Sequence, residues 1–282
     1  MPAPSPRPSA VDQVDWITDP FALGFQQRAL VAGLMAAGMA AIVGTWVVLR
    51  GLTFMGDALA HGVLPGVALG LLFGFNPVIG AIASALAMAA GINLIHRRAQ
   101  LTEDTAIGLM FVGMLALGVV LISRGGSYSG SLTGILFGDL LATSGSDLAL
   151  LGAGVGAAVA VTLVFYRPFL ALCFSEQKAE LLGMNPRVAH FAMLALVTMA
   201  VVTSFRTVGS LLIFGMMVAP PATAALLVRR VRAMMATALT VGAIAVLGGL
   251  LVSYHLGTAG SATISALSVF LFFVVLGVRG GR

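Results

Sequence analysis

Nine apolar runs separated by short polar turns fill most of the chain, at approximately 29–49, 53–74, 77–95, 105–123, 147–166, 189–204, 208–228, 234–253 and 263–277. A helix of about 20 apolar residues crosses the hydrocarbon of a bilayer, so such a succession dictates a bundle of membrane helices. The sixth and ninth runs are short enough to need tilt or cover by protein. The totals agree: 59% of the 282 residues are hydrophobic and 9% are charged, against roughly 25% charged in a soluble domain. No length remains for a soluble catalytic domain. The expected fold is all-α, a polytopic integral membrane protein of about nine transmembrane helices. Residues 1–27, with Pro2, Pro4, Pro6 and Pro8, read as a structureless tip and a surface segment anchored by Trp16. The membrane domain then occupies 28–278 and a short tail 279–282.

Basic residues orient the bundle. In a nine-span path, eleven of the fifteen lie on one side: Arg50, Arg97, Arg98, Arg167, Lys178, Arg187, Arg229, Arg230, Arg232, Arg279 and Arg282. Arg7, Arg28, Arg124 and Arg206 lie on the other. Basic loops stay cytoplasmic, so the amino terminus is expected outside and the carboxyl terminus in the cytoplasm. The net charge of +5 then reflects those loops, and nucleic acid is not an expected partner. The single cysteine, Cys173, excludes an intramolecular disulfide and any cysteine-cluster metal site. No cleavable signal peptide is expected, because the first apolar run is already of span length.

The second run, Thr53 to Gly74, concentrates the chemistry. It carries Asp57 and His61, which four residues apart share one face of a helix. Beside them runs a row of small residues at spacing four, Ala58, Gly62, Gly66, Gly70 and Gly74, fit for close backbone contact with a neighbour. Pro65 removes a backbone donor and is expected to kink or unwind the helix just past His61. Ionisable groups in a bilayer are expensive and mark a path for an ion or polar substrate. The plainer alternative is that Asp57 and His61 pair only to neutralise each other and fix helix contacts.

Elsewhere the signals are more local. Thr102 reads as an N-cap with Glu103 and Asp104 in the following turn, where acids suit the positive helix end without a role in transport. Residues 124–146, rich in Gly, Ser and Thr, fit a re-entrant hairpin or a surface helix. Residues 167–188 form the longest cytoplasmic insertion. In it Ser175 can cap a short helix, Glu176 to Leu182, that Gly183 stops and Pro186 keeps from resuming. Such a helix, with Ala179, Leu181 and Leu182 upon it, is too short to stand alone; it docks on a partner or lies on the membrane. Pro220 and Pro221 interrupt the seventh run, and the carbonyls they free must be met inside the bundle. His255, at a membrane boundary, reads as an interfacial hydrogen-bonding residue.

Several activities are excluded. There is no GxxxxGK[ST] loop to bind ATP, no HExxH, and no serine at the centre of a GxSxG elbow, so the chain is not expected to be an enzyme.

Four stretches in order, GDALAHGVLPGVALG (Gly56 to Gly70), EDTAIGLMF (Glu103 to Phe111), FSEQKAELLGM (Phe174 to Met184) and VGSLLIFGMMVAPPATA (Val208 to Ala224), resemble those of the zinc/manganese-type ABC importer permeases. The likeness extends over nearly all of 28–278, and its first motif is the most specific. It implies a permease in a bacterial cytoplasmic (inner) membrane, working as a second-copy homodimer with a pair of ABC ATPase subunits below and an extracytoplasmic metal-binding receptor above. Asp57 and His61 match the family's path-lining acid and histidine. The segment 175–183, with Ser175, Glu176, Lys178, Glu180, Leu181, Leu182 and Gly183, matches its coupling helix, which favours docking over a membrane-surface role. Pro65, Pro220 and Pro221 would supply the helix breaks for gating. Two departures stand out: Ala60 where the family usually has Ser, and Gly257-Thr258-Ala259-Gly260 where it often has a Pro-Ser-Gly turn.

No permanently bound cofactor is implied. Carboxylate oxygen and imidazole nitrogen suit Zn²⁺ or Mn²⁺, and imidazole favours zinc of the two. A proton-coupled secondary transporter is the alternative, since it also uses buried acid and imidazole, although mirrored broken helices are not evident. A membrane scaffold or intramembrane enzyme is a further rival without a nucleophile–base pair to support it.

Overall fold

A computed structural model of the chain describes residues 20–99, 102–123, 138, 140–174, 176–181 and 183–280. Among these residues the helices follow in the order α1 (Gly24–Arg50), α2 (Thr53–Gly62), α3 (Leu64–Phe73), α4 (Pro77–Ala99), α5 (Glu103–Ser123), α6 (Gly145–Phe174), α7 (Glu176–Leu181), α8 (Pro186–Leu227), α9 (Val231–Leu256) and α10 (Gly260–Gly280). Among the described residues, eight helical stretches have the length and apolarity to cross a membrane, and a ninth, Leu212–Leu227, is apolar but shorter. The sixth and ninth expected spans are thus of full length, at Pro186–Phe205 and Gly260–Arg279. The seventh is the short one, because the break before it consumes residues. That break is Gly209, whose φ of 76° and ψ of 166° belong to a region open only to glycine.

α1 is the central post. Its alanines and glycines, among them Ala29, Ala32, Gly33, Ala36, Ala40 and Gly44, are buried against α6, α8 and α9. Small side chains let these backbones approach closely. A Cβ on Gly33 would lie 2.7 Å from Val246 Cγ1, and one on Gly44 would run into the Met217 carbonyl. At the far end of α1, Trp46 meets Tyr166 and Phe169 edge-on, with centroids 5.5 Å away in each case. Gly51, at φ 74°, then turns the chain into α2, while Arg50 Nη1 donates to the Leu172 carbonyl at 2.6 Å. Packing of α1 begins ahead of the expected boundary at residue 28, since Gln26 is buried.

The second span is two helices, α2 and α3, divided at Val63 with Pro65 in the first turn of α3. Three of the expected row of small residues, Gly62, Gly66 and Gly70, find their neighbour in α4, whereas Ala58 lies on the face turned to α5 and a Cβ on Gly74 would meet nothing within 4 Å. Gly66 and Gly80 face one another so closely that a Cβ on either would collide with the other's carbonyl, and a Cβ on Gly70 would lie 2.8 Å from Pro77 Cα. Ser84 Oγ donates to the Gly62 carbonyl at 2.6 Å, which satisfies a backbone group loosened by the break.

The remaining elements correct and refine the sequence reading. Thr102 caps α5, its Oγ1 accepting from Thr105 N at 3.3 Å. The expected cytoplasmic insertion is shorter, because 167–174 continue α6 through Pro168. Phe169 and Leu172 are fully buried, and that packing outweighs one lost helical hydrogen bond. α7 then stands where a short helix was expected. Gly183 ends it at φ 73°, with its N–H on the Glu180 carbonyl at 2.9 Å. Pro186 opens α8 at its first turn behind the Asn185 cap, the position where a missing N–H costs nothing. Pro220 and Pro221 are buried, as the need to satisfy their freed carbonyls requires. Trp16, Ser175, Leu182 and residues 124–137 lie outside the described residues.

The Gly66–Gly80 contact yields a test. Gly66→Ala forces backbone against backbone and is expected to destabilise the purified protein by about 1–3 kcal/mol, read as a lower thermal midpoint in detergent. Gly108→Ala, with nothing within 4 Å of its Cβ, should leave the midpoint unchanged.

Candidate functional site

α2 and α5 pack side by side, and each turns one helical face toward the other. On α2 that face holds Phe54, Asp57, Ala58 and His61, at spacings of three and four; on α5 it holds Asp104, Ile107, Gly108, Phe111 and Val112. Such spacings place side chains in one stripe. Between the stripes lies a cavity of about 290 Å³ whose walls include Asp57 and Asp104. It opens on the surface of the single chain, where Phe54 and Val112 are 68% and 62% exposed.

Asp57 and His61 are brought together as their spacing predicts. His61 Nδ1 lies 3.0 Å from the Asp57 backbone carbonyl and 3.3 Å from Asp57 Oδ1. A carbonyl oxygen only accepts, so this contact puts the hydrogen on Nδ1 and leaves the lone pair of the neutral ring on Nε2. A histidine ordered in this way through one nitrogen can offer the other to a cation. The Asp57 and His61 side chains retain 26% and 19% of their accessible surface. They are neither sealed in dry packing nor fully exposed. The His61 ring meets the Phe111 ring edge-on, at 5.4 Å and 85°.

Asp104 is the group that the sequence reading set aside. Its place in the first turn of α5 accounts for it as a helix-end acid, and that explanation hid its second property: it shares a cavity with Asp57. The signal lay in the stripe 104, 107, 108, 111 and 112, which faces the stripe of Asp57. Among the described residues, no three His, Cys, Asp or Glu side chains converge to hold a metal ion. One chain therefore offers a pair of carboxylates with an adjacent imidazole, and not a closed coordination shell.

Other expected residues are spread through the fold. Pro65 sits one turn past His61 at the helix break, whereas Pro220 and Pro221 are buried in α8. On α7, Ala179 is buried while Leu181 is 87% exposed; Glu180 and Gly183 border a separate hollow with Arg187. His255 is exposed at the end of α9 and meets Tyr254 edge-on at 5.3 Å.

The family model for the ABC 3 transport family matches residues 22–279. The chain belongs to the ABC 3 transport family. As an ABC 3 chain it is a multi-pass membrane protein with a transport role, and the proton-coupled alternative loses its support. It is 36% identical over 251 residues to the manganese transport system membrane protein MntC of Listeria innocua, covering 89% of each chain. To a probable iron transport system membrane protein of Haemophilus influenzae it is 33% identical over 263 residues, covering 93% of this chain and 96% of that one. The structure titled PsaBC from Streptococcus pneumoniae in complex with Fab superposes with a TM-score of 0.83 at 33% identity, covering 93% and 95% of the two chains. The two relatives' names carry manganese and iron, not the zinc that imidazole chemistry favoured.

A cavity that admits water is open to polar reagents even within the span of a membrane. In a Cys173→Ser background, Gly108→Cys is expected to react with a charged, water-soluble maleimide. Val120→Cys, exposed on the apolar flank of α5, is expected to stay unlabelled. Equal protection of both would show that the cavity is closed to water.

Proposed function

We propose that this chain is the permease subunit of an ATP-driven importer of divalent transition metal ions, with manganese or iron the favoured cargo and zinc after them. The observation that carries this reading is the pair of carboxylates, Asp57 and Asp104, on one cavity beside the His61 imidazole. Oxygen donors with one available nitrogen suit Mn²⁺ and Fe²⁺ without demanding the tight tetrahedral shell that zinc prefers. The relatives' names point the same way.

The cavity opens on the outside of a single chain, yet a carboxylate does not face lipid at tolerable cost. A second copy covering the α2–α5 face would remove that cost and add its own acids and imidazole. The working unit in this reading is a homodimer, with the metal path along its two-fold interface in a bacterial cytoplasmic membrane. The ends of α1 and α4 and the starts of α2 and α5 share one side, which the basic residues make cytoplasmic. The amino terminus is then outside, where a metal-binding receptor would deliver cargo.

Hydrolysis of ATP belongs to separate subunits. α7 is the proposed coupling helix: it exposes Leu181 while Ala179 anchors it to the bundle. An exposed leucine at the tip of a short helix suits an apolar groove on an ATPase, as the anchor residue of a small interface. Motion there would reach the spans through α6 and α8, which pack on α7. The breaks at Val63 and Gly209 and the prolines 65, 220 and 221 are proposed as the points that flex.

Alanine at Asp57, His61 or Asp104 is expected to reduce Mn²⁺ uptake at least about tenfold, the scale on which even supporting groups affect a metal site. The ATPase should still assemble with each variant. Normal uptake by all three would refute the path. Leu181→Asp is expected to act differently. It should weaken ATPase association about tenfold in pull-down titrations, the effect of losing one apolar anchor, and leave Mn²⁺ binding by the permease intact.

A further inference from the structure

α1 packs on α6 and on α9, yet α6 and α9 do not pack on one another. Between them a strip of α1 keeps accessible surface: Val31, Met35, Gly38 and Ile42, at spacings of four and three. Met35 reaches toward Gly152 of α6, and Gly38 faces Leu239 of α9, whose Cδ1 would lie 4.0 Å from an added Cβ. The strip is therefore the floor of a shallow groove walled by α6 and α9. One end of the groove is spanned by Arg232 of α9, whose guanidinium carbon stands 5.5 Å over the Tyr166 ring of α6. Tyr166 in turn meets Trp46 of α1 edge-on. Arg167 follows Tyr166, and both share a helical face with the exposed Leu163, three and four residues earlier. Arg229 and Arg230 lie in the turn that leads into α9. Arg167, Arg229, Arg230 and Arg232 are all exposed, and among the described residues none of them forms an ion pair.

We propose that this groove binds an anionic phospholipid of the cytoplasmic leaflet, with its phosphate at Arg232 and Arg167 and one acyl chain along α1 over Gly38. Charge complementarity selects the occupant. A guanidinium matches a phosphate through paired N–H donors, and these arginines have no carboxylate to satisfy them. Stacking on Tyr166 holds Arg232 at the mouth of the groove, and tyrosine is a side chain that settles at headgroup level. The apolar part fits as well. Gly38 lies eight residues before Trp46 on α1, about 12 Å along the helix, which is within the roughly 15 Å of hydrocarbon in one leaflet. A chain descending from the arginines therefore reaches Gly38, where the missing side chain leaves room. Such a lipid would join two helices that share no packing of their own. The groove is distinct from the metal path, because α5 packs on α2, α3 and α4 and not on its walls. The inference therefore stands or falls without that reading.

The test titrates the full-length chain, purified with its ATPase in detergent, with phosphatidylglycerol or phosphatidylcholine and counts bound lipid by native mass spectrometry. Phosphatidylglycerol is expected to bind at least about tenfold more tightly, the worth of two basic residues at a membrane surface. Arg232→Gln and Arg167→Gln should each weaken it about fivefold. Gly38→Leu, which fills the floor of the groove, should weaken it about tenfold with every arginine in place, as loss of room for two methylenes would. The arginine variants lie at exposed positions and keep the test decisive even if Gly38→Leu fails to fold. Arg279→Gln, an exposed site on α10, which packs on neither α1 nor α6, should leave lipid binding unchanged. Equal binding of the two lipids would overturn the proposal, as would a loss at Arg279→Gln as large as that at Arg232→Gln, since either means diffuse charge alone. Displacement of phosphatidylglycerol by equimolar inorganic phosphate would show a free-anion site and overturn it too. So would an Arg232→Gln variant that sheds the ATPase while keeping its lipid, because the arginines would then belong to that partner.

Discussion

A carboxylate within a membrane-spanning helix is the constraint on which the rest of this structure turns. Lipid cannot solvate Asp57, so the chain must give it a partner and keep it from acyl chains. The partner is His61, four residues on and joined to it at 3.3 Å. The rest of its surroundings is the cavity shared with α5. Both depend on how the second span is built. Two short helices divided at Val63, clamped to α4 by glycine backbones, hold the acid-bearing half at a fixed place against α5.

The clamp and the chemistry lie on adjoining faces of the same helix pair, and this explains the density of small residues there. Gly62, Gly66 and Gly70 each approach α4 where a Cβ has no room. Association of helices in lipid relies on such close packing, since no hydrophobic effect drives one apolar helix onto another. α1 uses the same device toward Met217 and Val246. Met217 is also the residue whose carbonyl Pro221 leaves without its helical donor, so the close approach of α1 and the proline break in α8 occur at one level of the bundle. Close glycine contacts therefore border the breaks at Val63 and at Pro221.

Much of this was legible in the sequence because membranes simplify the code. Apolar runs, glycine spacing and prolines mark spans, contacts and breaks directly, and the Asp57–His61 pair follows from a spacing of four. What escaped was decided by tertiary context. Phe169 and Leu172 carry α6 on past Pro168 because Trp46 and its neighbours bury them, and nothing local announces that. Gly209 looks like one glycine among many until its φ is known. Asp104 was misjudged for a different reason. Its helix-end position already explained an acid there, and a residue with one sufficient cause does not advertise a second. Phe111 likewise reads as an ordinary apolar residue of a span until its ring is found against His61.

The absence of three converging donors among the described residues is better understood as a requirement of transport than as a defect of the site. A resident metal is held by a closed shell with ordered supporting groups, and such a shell releases its ion slowly. A conduit needs the opposite balance, with enough ligation to replace lost water and too little to trap. Two carboxylates on one cavity with a single imidazole beside them leave such a set open within one chain. In the proposed homodimer, dividing the full set between two chains would meet that balance, and movement of the two copies would assemble and dismantle the site, tying ion release to the motion of the bundle rather than to the strength of any single bond.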